Sequence, residues 1–263
     1  LYVGGDFTII GGQTRNYAAK LNITTGTADG SWNPNMNGSV YAVEINGSDI
    51  YLRGLFTTAN GGTTRNRLAK FNNTDGTVTA WDPNADGAVY TVATEGSSVY
   101  AGGLFTLVNG ATTRNYTAKF NNSDGTVDGS WNPNANNVVR SIAVSGSDLF
   151  VCGSFSTIGG NSYNSVAKLN NTSGAPDNTW NPNAATVCST VVLSGSDIYL
   201  GGSFQTVGGL SQNRIALFTD RLLPVELTSF TAKSVNSAIE LNWNTATEVN
   251  NFGFEIEKRS TLT

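Results

Sequence analysis

Histidine is absent from all 263 residues. That removes the commonest metal ligand and the commonest general base at neutral pH. Ser-His-Asp and Cys-His catalysis, and His-ligated zinc or copper, are therefore excluded within this chain. Charge is also scarce: 13% of residues are charged and the formal net charge is −4. A charge-poor, weakly acidic chain lacks the basic footprint that nucleic acid or an anionic membrane would attract. No apolar run approaches the roughly 18 residues of a membrane span, so neither nucleic acid nor membrane insertion is expected. Cysteine occurs only at Cys152 and Cys188, with no C-x-x-C spacing, so redox and thiolate-zinc motifs are missing. No metal and no cofactor are expected. The sequence begins at Leu1-Tyr2-Val3, already a strand pattern, without initiator Met or a basic-plus-apolar leader. It is expected to be a processed or truncated piece.

What is present is repetition. Thirty glycines and abundant Asn, Ser and Thr suit short strands and many turns. Trp32-Asn33-Pro34-Asn35 recurs as Trp81-Asp82-Pro83-Asn84, Trp131-Asn132-Pro133-Asn134 and Trp180-Asn181-Pro182-Asn183, the tryptophans 49, 50 and 49 residues apart. A period near 50 indicates repeat architecture. The second repeat shows the unit. Val40 to Ile45 and Asp49 to Phe56 flank Asn46-Gly47-Ser48; Arg67 to Asn72 and Thr77 to Trp81 flank Asn73-Thr74-Asp75-Gly76. Such β-branched and aromatic runs between Asn-Gly, Asp-Gly and Gly-Ser signals predict four antiparallel strands, a to d. Four strands in about 50 residues is the size of a propeller blade. In strand b the aromatics Tyr2, Tyr51, Tyr100, Phe150 and Tyr199 form a column, and strand c repeats Ala-Lys at Lys20, Lys70, Lys119 and Lys168. Columns of this kind arise when every blade meets the same neighbours.

The fold class is therefore all-β, a propeller of four-stranded blades. Five blades are visible: 1–35 (b, c and d), 40–84, 89–134 and 139–183 (complete), and 188–218 (a, b and c). Either five blades close with two incomplete ones, or repeats have been lost from a larger ring; the start in mid-pattern favours loss. The propeller spans 1–219. Residues 220–224, ending in Pro224, read as a linker. Within 225–263 three alternating runs, Val225 to Ala232, Ala238 to Trp243 and Phe252 to Glu257, read as strands of a partial sandwich.

The glycine pairs Gly4-Gly5, Gly102-Gly103 and Gly201-Gly202, with the Trp of strand d, resemble kelch-type blades. The series Gly4-Gly5-Asp6-Phe7-Thr8, Gly11-Gly12, Arg15-Asn16, Ala19-Lys20-Leu21-Asn22 and Trp32-Asn33-Pro34-Asn35 resembles the bacterial delta-60 propeller repeat more closely. Leu223 to Phe230, Trp243 to Glu248 and Asn250 to Glu255 resemble a fibronectin-type-III-like module of the kind that precedes the sorting domain of type IX secretion cargo. That resemblance implies export to a bacterial cell surface or to the medium. Propellers host many functions, so the likeness speaks for fold rather than activity.

Each recurring column has a scaffold reading. The Trp phrase is an inter-blade anchor followed by a turn, against an exposed platform for sugars. Asn72 to Gly76 and Asn121 to Gly125 are oxygen-rich, but one Asp apiece suits a hairpin turn better than a calcium loop. The lysine column suits solvent or a carboxylate partner better than an anion-binding ring, and Arg15, Arg65 and Arg114 suit loop anchoring. Function in an array is better sought where the repeat breaks. Arg53 and Cys152 replace the first Gly of the pair, Arg140 replaces Tyr41 and Tyr90 in the strand expected to line the central axis, and Asp86 and Glu95 add acids near the ends of another a strand. Drift also leaves scattered substitutions of this kind. Cys152 and Cys188 fall in adjacent blades, where an exported protein forms either a disulfide or two buried thiols.

Three functions are compatible with these residues. The first is a non-catalytic surface or secreted binding propeller whose partner is a glycan or a surface protein. The second is a carbohydrate-active hydrolase or lyase with paired carboxylates at the channel mouth, for which Asp86, Glu95 and Arg140 would have to gather at one end. The third is a structural spacer in a large adhesin. The expectation settled on is the first.

Overall fold

The computed structural model describes residues 1–219, 227–235 and 238–245. Its described elements are all β-strands. In the second repeat, strands a (Val40–Asn46), b (Asp49–Gly54) and c (Leu68–Asn72) form an antiparallel sheet in that order. The third (Val89–Glu95, Ser98–Gly103, Thr117–Asn121), fourth (Val139–Ser145, Asp148–Gly153, Val166–Asn170) and fifth (Cys188–Ser194, Asp197–Gly202, Ile215–Phe218) repeat that order. The first supplies only Tyr2–Gly4 paired with Ala18–Lys20. Strands a and b are joined by two residues, such as Gly47-Ser48 between Asn46 and Asp49. Gly47, at φ 59°, takes the first central place, the arrangement that a type II′ hairpin reserves for glycine.

The fourth strand is shorter than expected. Each outer segment meets strand c in one bridge, Leu21–Ala28, Phe71–Val78, Phe120–Val127 or Leu169–Pro176. The reason is local. Asp29, Asp128 and Asp177 each accept from the backbone N–H two residues on (2.9, 3.0 and 2.9 Å), turning the chain inward toward the tryptophan. A short polar side chain that bonds its own backbone competes with a ladder. The b–c connection, read from sequence as a Gly-rich stretch, folds into a small hairpin of its own, such as Thr58–Ala59 with Thr63–Thr64.

Strand a has a recurrent irregularity. The pairing with strand b slips between Val40 and Ala42, Val89 and Thr91, and Val139 and Ser141. Tyr41, Tyr90 and Arg140 are thus the extra residues of β-bulges, the kind of feature that re-aims a side chain.

The cores lie between repeats. One cluster joins Ala18 and Trp32 of the first repeat to Ile50, Leu52 and Phe71 of the second. Another joins Tyr51 and Leu68 to Val99, Phe105 and Phe120 of the third. A further one joins Tyr100 to Leu149, Phe155 and Leu169 of the fourth. A blade buries its faces only against its neighbours. The chain divides into two compact units, Leu1–Leu193 with Tyr199–Ala216, and Ser194–Ile198 with Leu217–Thr263. In the second unit, Leu227–Val235 and Ala238–Thr245 pair antiparallel from Leu227–Thr245 to Val235–Ala238, with an irregularity between Leu227 and Ser229. The expected linker at 220–224 and the expected third strand, Phe252 to Glu257, lie outside the described residues.

Candidate functional site

The repeated phrases prove to be two halves of one joint. Trp32, Trp81 and Trp131 are buried, each edge-on to the strand-b aromatic of its own repeat: Tyr2 at 5.1 Å, Tyr51 at 5.4 Å and Tyr100 at 5.6 Å between centroids. Their Nε1–H groups donate into the following repeat, to the carbonyls of Asn72, Asn121 and Asn170 (3.0, 2.9 and 3.4 Å). The carbonyls of Pro34, Pro83, Pro133 and Pro182 accept from the next hairpin, at the N–H of Asn60, Asn109, Gly159 and Gly208. Those four residues have φ between 46° and 60°, a left-handed region that Gly and Asn tolerate best. The closing Asn of each phrase is left-handed too, and its Oδ1 accepts from Asn16, Asn66, Asn115 or Asn164 at 2.6–2.8 Å. The sequence offered no sign of this Asn–Asn pairing beyond the shared period.

The oxygen-rich c–d turns are sockets rather than cation loops. Besides the Trp bonds, the Asn73 carbonyl accepts from Tyr2 Oη (3.4 Å) and Lys20 Nζ (3.2 Å) of the preceding repeat. Asn122 receives Tyr51 Oη at its side-chain Oδ1 and Lys70 Nζ at its backbone carbonyl, and the Asn171 carbonyl receives Tyr100 Oη. Asp75 and Asp124 cap Thr77 and Thr126 within their own turns. Among the described residues no group of three or more His, Cys, Asp or Glu side chains is placed to hold a metal ion.

The charged columns are engaged likewise. Lys20, Lys70, Lys119 and Lys168 pair with Asp29, Asp49, Asp128 and the two carboxylates Asp148 and Asp177. Arg15, Arg65 and Arg114 donate Nη2 to the carbonyls of Asp29, Thr79 and Asp128 (2.6, 2.5 and 2.8 Å), tying hairpin to outer segment. In the fourth repeat Tyr163 takes over this duty, its Oη donating to the Asp177 carbonyl at 3.0 Å.

The repeat-breaking residues divide. Arg140 and Asp86 lie at the beginning of strand a, and Arg53, paired with Ala42, lies at the same end of its blade. Glu95 is the last residue of its strand a, six residues beyond Val89. At about 3.3 Å per residue that places it about 20 Å away, whereas paired glycosidic carboxylates lie about 5–9.5 Å apart. The gathering of Asp86, Glu95 and Arg140 at one mouth that the enzyme alternative would need does not form, because the length of the strand separates Glu95 from the other two.

Asp86 has a scaffold duty as well. It accepts from the N–H groups of Thr106 (2.8 Å) and Leu107 (2.9 Å), as Asn37 and Asn136 do in their repeats. Desolvation is the largest single influence on its carboxyl and raises its pKa, but the Leu107 and Thr106 donors together hold it below the usual value. Arg53 and Glu44, a residue that sequence reasoning passed over, share one face of the a–b pair, since Ala42 opposes Arg53 and Glu44 opposes Tyr51. Burial raises the Glu44 carboxyl and lowers the Arg53 guanidinium, and the opposite charge only partly offsets each shift. The signal for Glu44 was available: the matching positions are Ala93, Ala143 and Val192.

The bulge end of the blades carries several of the exposed apolar side chains. Arg140 Nε donates to Ser154 Oγ at 3.3 Å, linking a bulge residue to the residue that follows strand b. In the second and third repeats those two positions hold Tyr41 (50% exposed) with Leu55 (52%), and Tyr90 with Leu104 (45%). The second repeat thus presents Tyr41 and Leu55 outward, the third presents Leu104 beside a half-buried Tyr90, and the fourth presents Arg140 beside a half-buried Ser154. Cys152 and Cys188 are both buried and present as free thiols.

Residues 1–31, 98–130 and 148–179 match the family described as "Domain of unknown function (DUF5122) beta-propeller". No curated protein matches the chain. Among solved structures it is similar to the computationally designed Ika4 protein at 8% identity, over 70% of this chain and 92% of that one, with a TM-score of 0.46. It is also similar to BamB from Moraxella catarrhalis at 14% identity, over 78% of this chain and 52% of that one, with a TM-score of 0.45. The chain thus spans about half of that BamB chain. With its repeated sheets, its inter-repeat cores and three stretches matched to one propeller family, the chain is a β-propeller repeat protein.

Proposed function

We propose that the chain is a non-catalytic binding module of an exported bacterial protein, displayed at the cell surface or released, whose partner is a glycan or a surface protein. The observation that carries this reading is the row at the bulge end, exposed Tyr41 with Leu55, then half-buried Tyr90 with exposed Leu104, then exposed Arg140. Tyrosine presents a flat apolar face and a polar tip, which suits a sugar ring or a mixed protein surface. Arg140 supplies fixed donors beside it. Nearly all other polar side chains that recur with the repeat are engaged in holding blades together, so recognition is left to positions that vary between blades. The export assignment rests on the likeness of the C-terminal segment to modules of secreted cargo.

A glycan array and an intact-cell binding assay, each run with the chain and with a Tyr41→Ala/Tyr90→Ala variant, test this reading. Binding by the parent and a loss of about tenfold or more in the variant are expected, since each aromatic contact is worth of order 1 kcal/mol. Equal binding by both proteins would remove the row from the site. Acid-dependent cleavage of the glycans would replace the binding module with an enzyme.

A further inference from the structure

We propose that Cys152 and Cys188, free thiols in this structure, close on oxidation into an intrachain disulfide that staples the fourth repeat to the fifth. The geometry comes from the other repeats. A Cβ placed on Gly4 would lie 2.5 Å from Val40 Cγ1 and 3.1 Å from Val40 Cβ, and one placed on Gly102 would lie 2.6 Å from Val139 Cγ1. This column therefore brings the end of strand b of one repeat against the first residue of strand a of the next. In the first and third repeats that contact sets glycine against valine, and in the second Arg53 stands at the glycine position. Cys152 stands at the glycine position and Cys188 at the valine position, and both are fully buried. The two thiols neighbour each other there, and Cys188 Sγ also lies 3.5 Å from the Thr190 carbonyl and 3.7 Å from that of Gly201. A covalent bond suits so close a contact, because disulfide-linked Cβ atoms sit about 3.5–4.5 Å apart.

The two departures are matched across one contact. In the folded chain, burial and then the neighbouring Cys188 push the Cys152 thiol up. A protonated, buried thiol is a poor nucleophile, so the exchange belongs to folding, before the two blades dock. The oxidant is a small-molecule disulfide or a dithiol–disulfide oxidoreductase. One thiolate of the chain attacks its S–S bond to give a mixed disulfide, and the second displaces it. The chain loses two electrons and two protons in forming one S–S bond, and the oxidant's bond is reduced to two thiols.

The full chain refolded in a glutathione redox buffer, then denatured and alkylated without reductant, tests this. Neither sulfur is expected to be labelled until reductant is added, and peptide mapping should recover the Cys152 peptide joined to the Cys188 peptide. The oxidised protein should melt about 5 °C or more above the reduced one. A Cys152→Gly/Cys188→Val variant, which restores the pair found in the first and third repeats, should fold and show no response to reductant. Labelling of both sulfurs without reductant overturns the proposal. So do cross-links found only between chains, or identical melting of the oxidised and reduced protein.

Discussion

Tyr100 and Tyr199 hold the same place in the third and fifth repeats, yet the first is 1% exposed and the second 39%. On strand c the contrast runs against residue type: Thr117, a polar residue, is fully buried, whereas Ile215 at the matching position of the fifth repeat is 69% exposed. Propensity and pattern are nearly the same in the two repeats, so neither decides burial. The adjoining repeat does. Tyr100 reaches the Asn171 carbonyl of the following repeat, and Val99 and Phe120 share a core with Tyr51 and Leu68 of the preceding one. Stability in such an array is a sum over interfaces, and a residue is worth what its interface makes it worth.

The largest test of that contrast is at the tryptophans. Trp81→Ala removes edge contacts to Tyr51 and Phe120 and the bond to Asn121, and should cost about 3–5 kcal/mol in denaturant unfolding. Trp180, only partly buried, should cost at least about 1 kcal/mol less when replaced by Ala. Equal losses would break the comparison. Next come the glycines. Gly102→Ala would press on Val139, Thr91 and Ile142, whereas Gly201→Ala meets only Thr190. The first should destabilise by about 1–3 kcal/mol and the second by less than about 1, read from shifts in unfolding midpoint. A smaller effect is expected at the clamp. Tyr163→Phe loses the bonds to the Asp177 carbonyl and Asn178, about 1 kcal/mol, while Gln212→Ala at the matching place in the fifth repeat should stay within about 0.5 kcal/mol.

The smallest effect concerns pH. Hydrogen bonds from Lys168 and then Thr179 hold the Asp177 carboxyl down to about 2. A depressed carboxylate contributes stability that is complete above its unfolded value, near 4, and is lost as pH falls toward 2. Asp177→Asn should therefore flatten the stability profile between pH 4 and 2 and leave its shape above pH 5 unchanged. In the fifth repeat, where Leu217 replaces the lysine, no such ion pair exists to be titrated.

Much of this was legible in the sequence because it is periodic. The Trp, Ala-Lys and Arg-Asn columns met matching partners in most repeats, with Lys70 on Asp49 and Tyr163 in place of the arginine as departures, and period alone identified them as scaffold. What was not legible depends on local competition or on length. The outer strand was overread, since nothing in Thr-Val-Thr-Ala says that an Asp or Thr side chain will cap the backbone and stop the ladder after one bridge. The hairpin between strands b and c was missed because two-residue strands leave no alternation to detect. Glu95 was grouped with Asp86 and Arg140 because they occupy one strand type, although a strand has two ends about 20 Å apart. Tyr41 was placed in the strand expected to line the central axis, and no alternation in the sequence marks the bulge that leaves it half exposed.

The joint between blades also bears on how such a chain changes length. Its two halves, the Pro carbonyl at the end of one repeat and the left-handed hairpin residue of the next, lie 26 residues apart in the first joint, between Pro34 and Asn60. Any tandem copying of a whole period, wherever its ends fall, regenerates both halves in register. Blades can therefore be gained or dropped by recombination without a new interface having to evolve, and the array is heritable as a count as well as a shape.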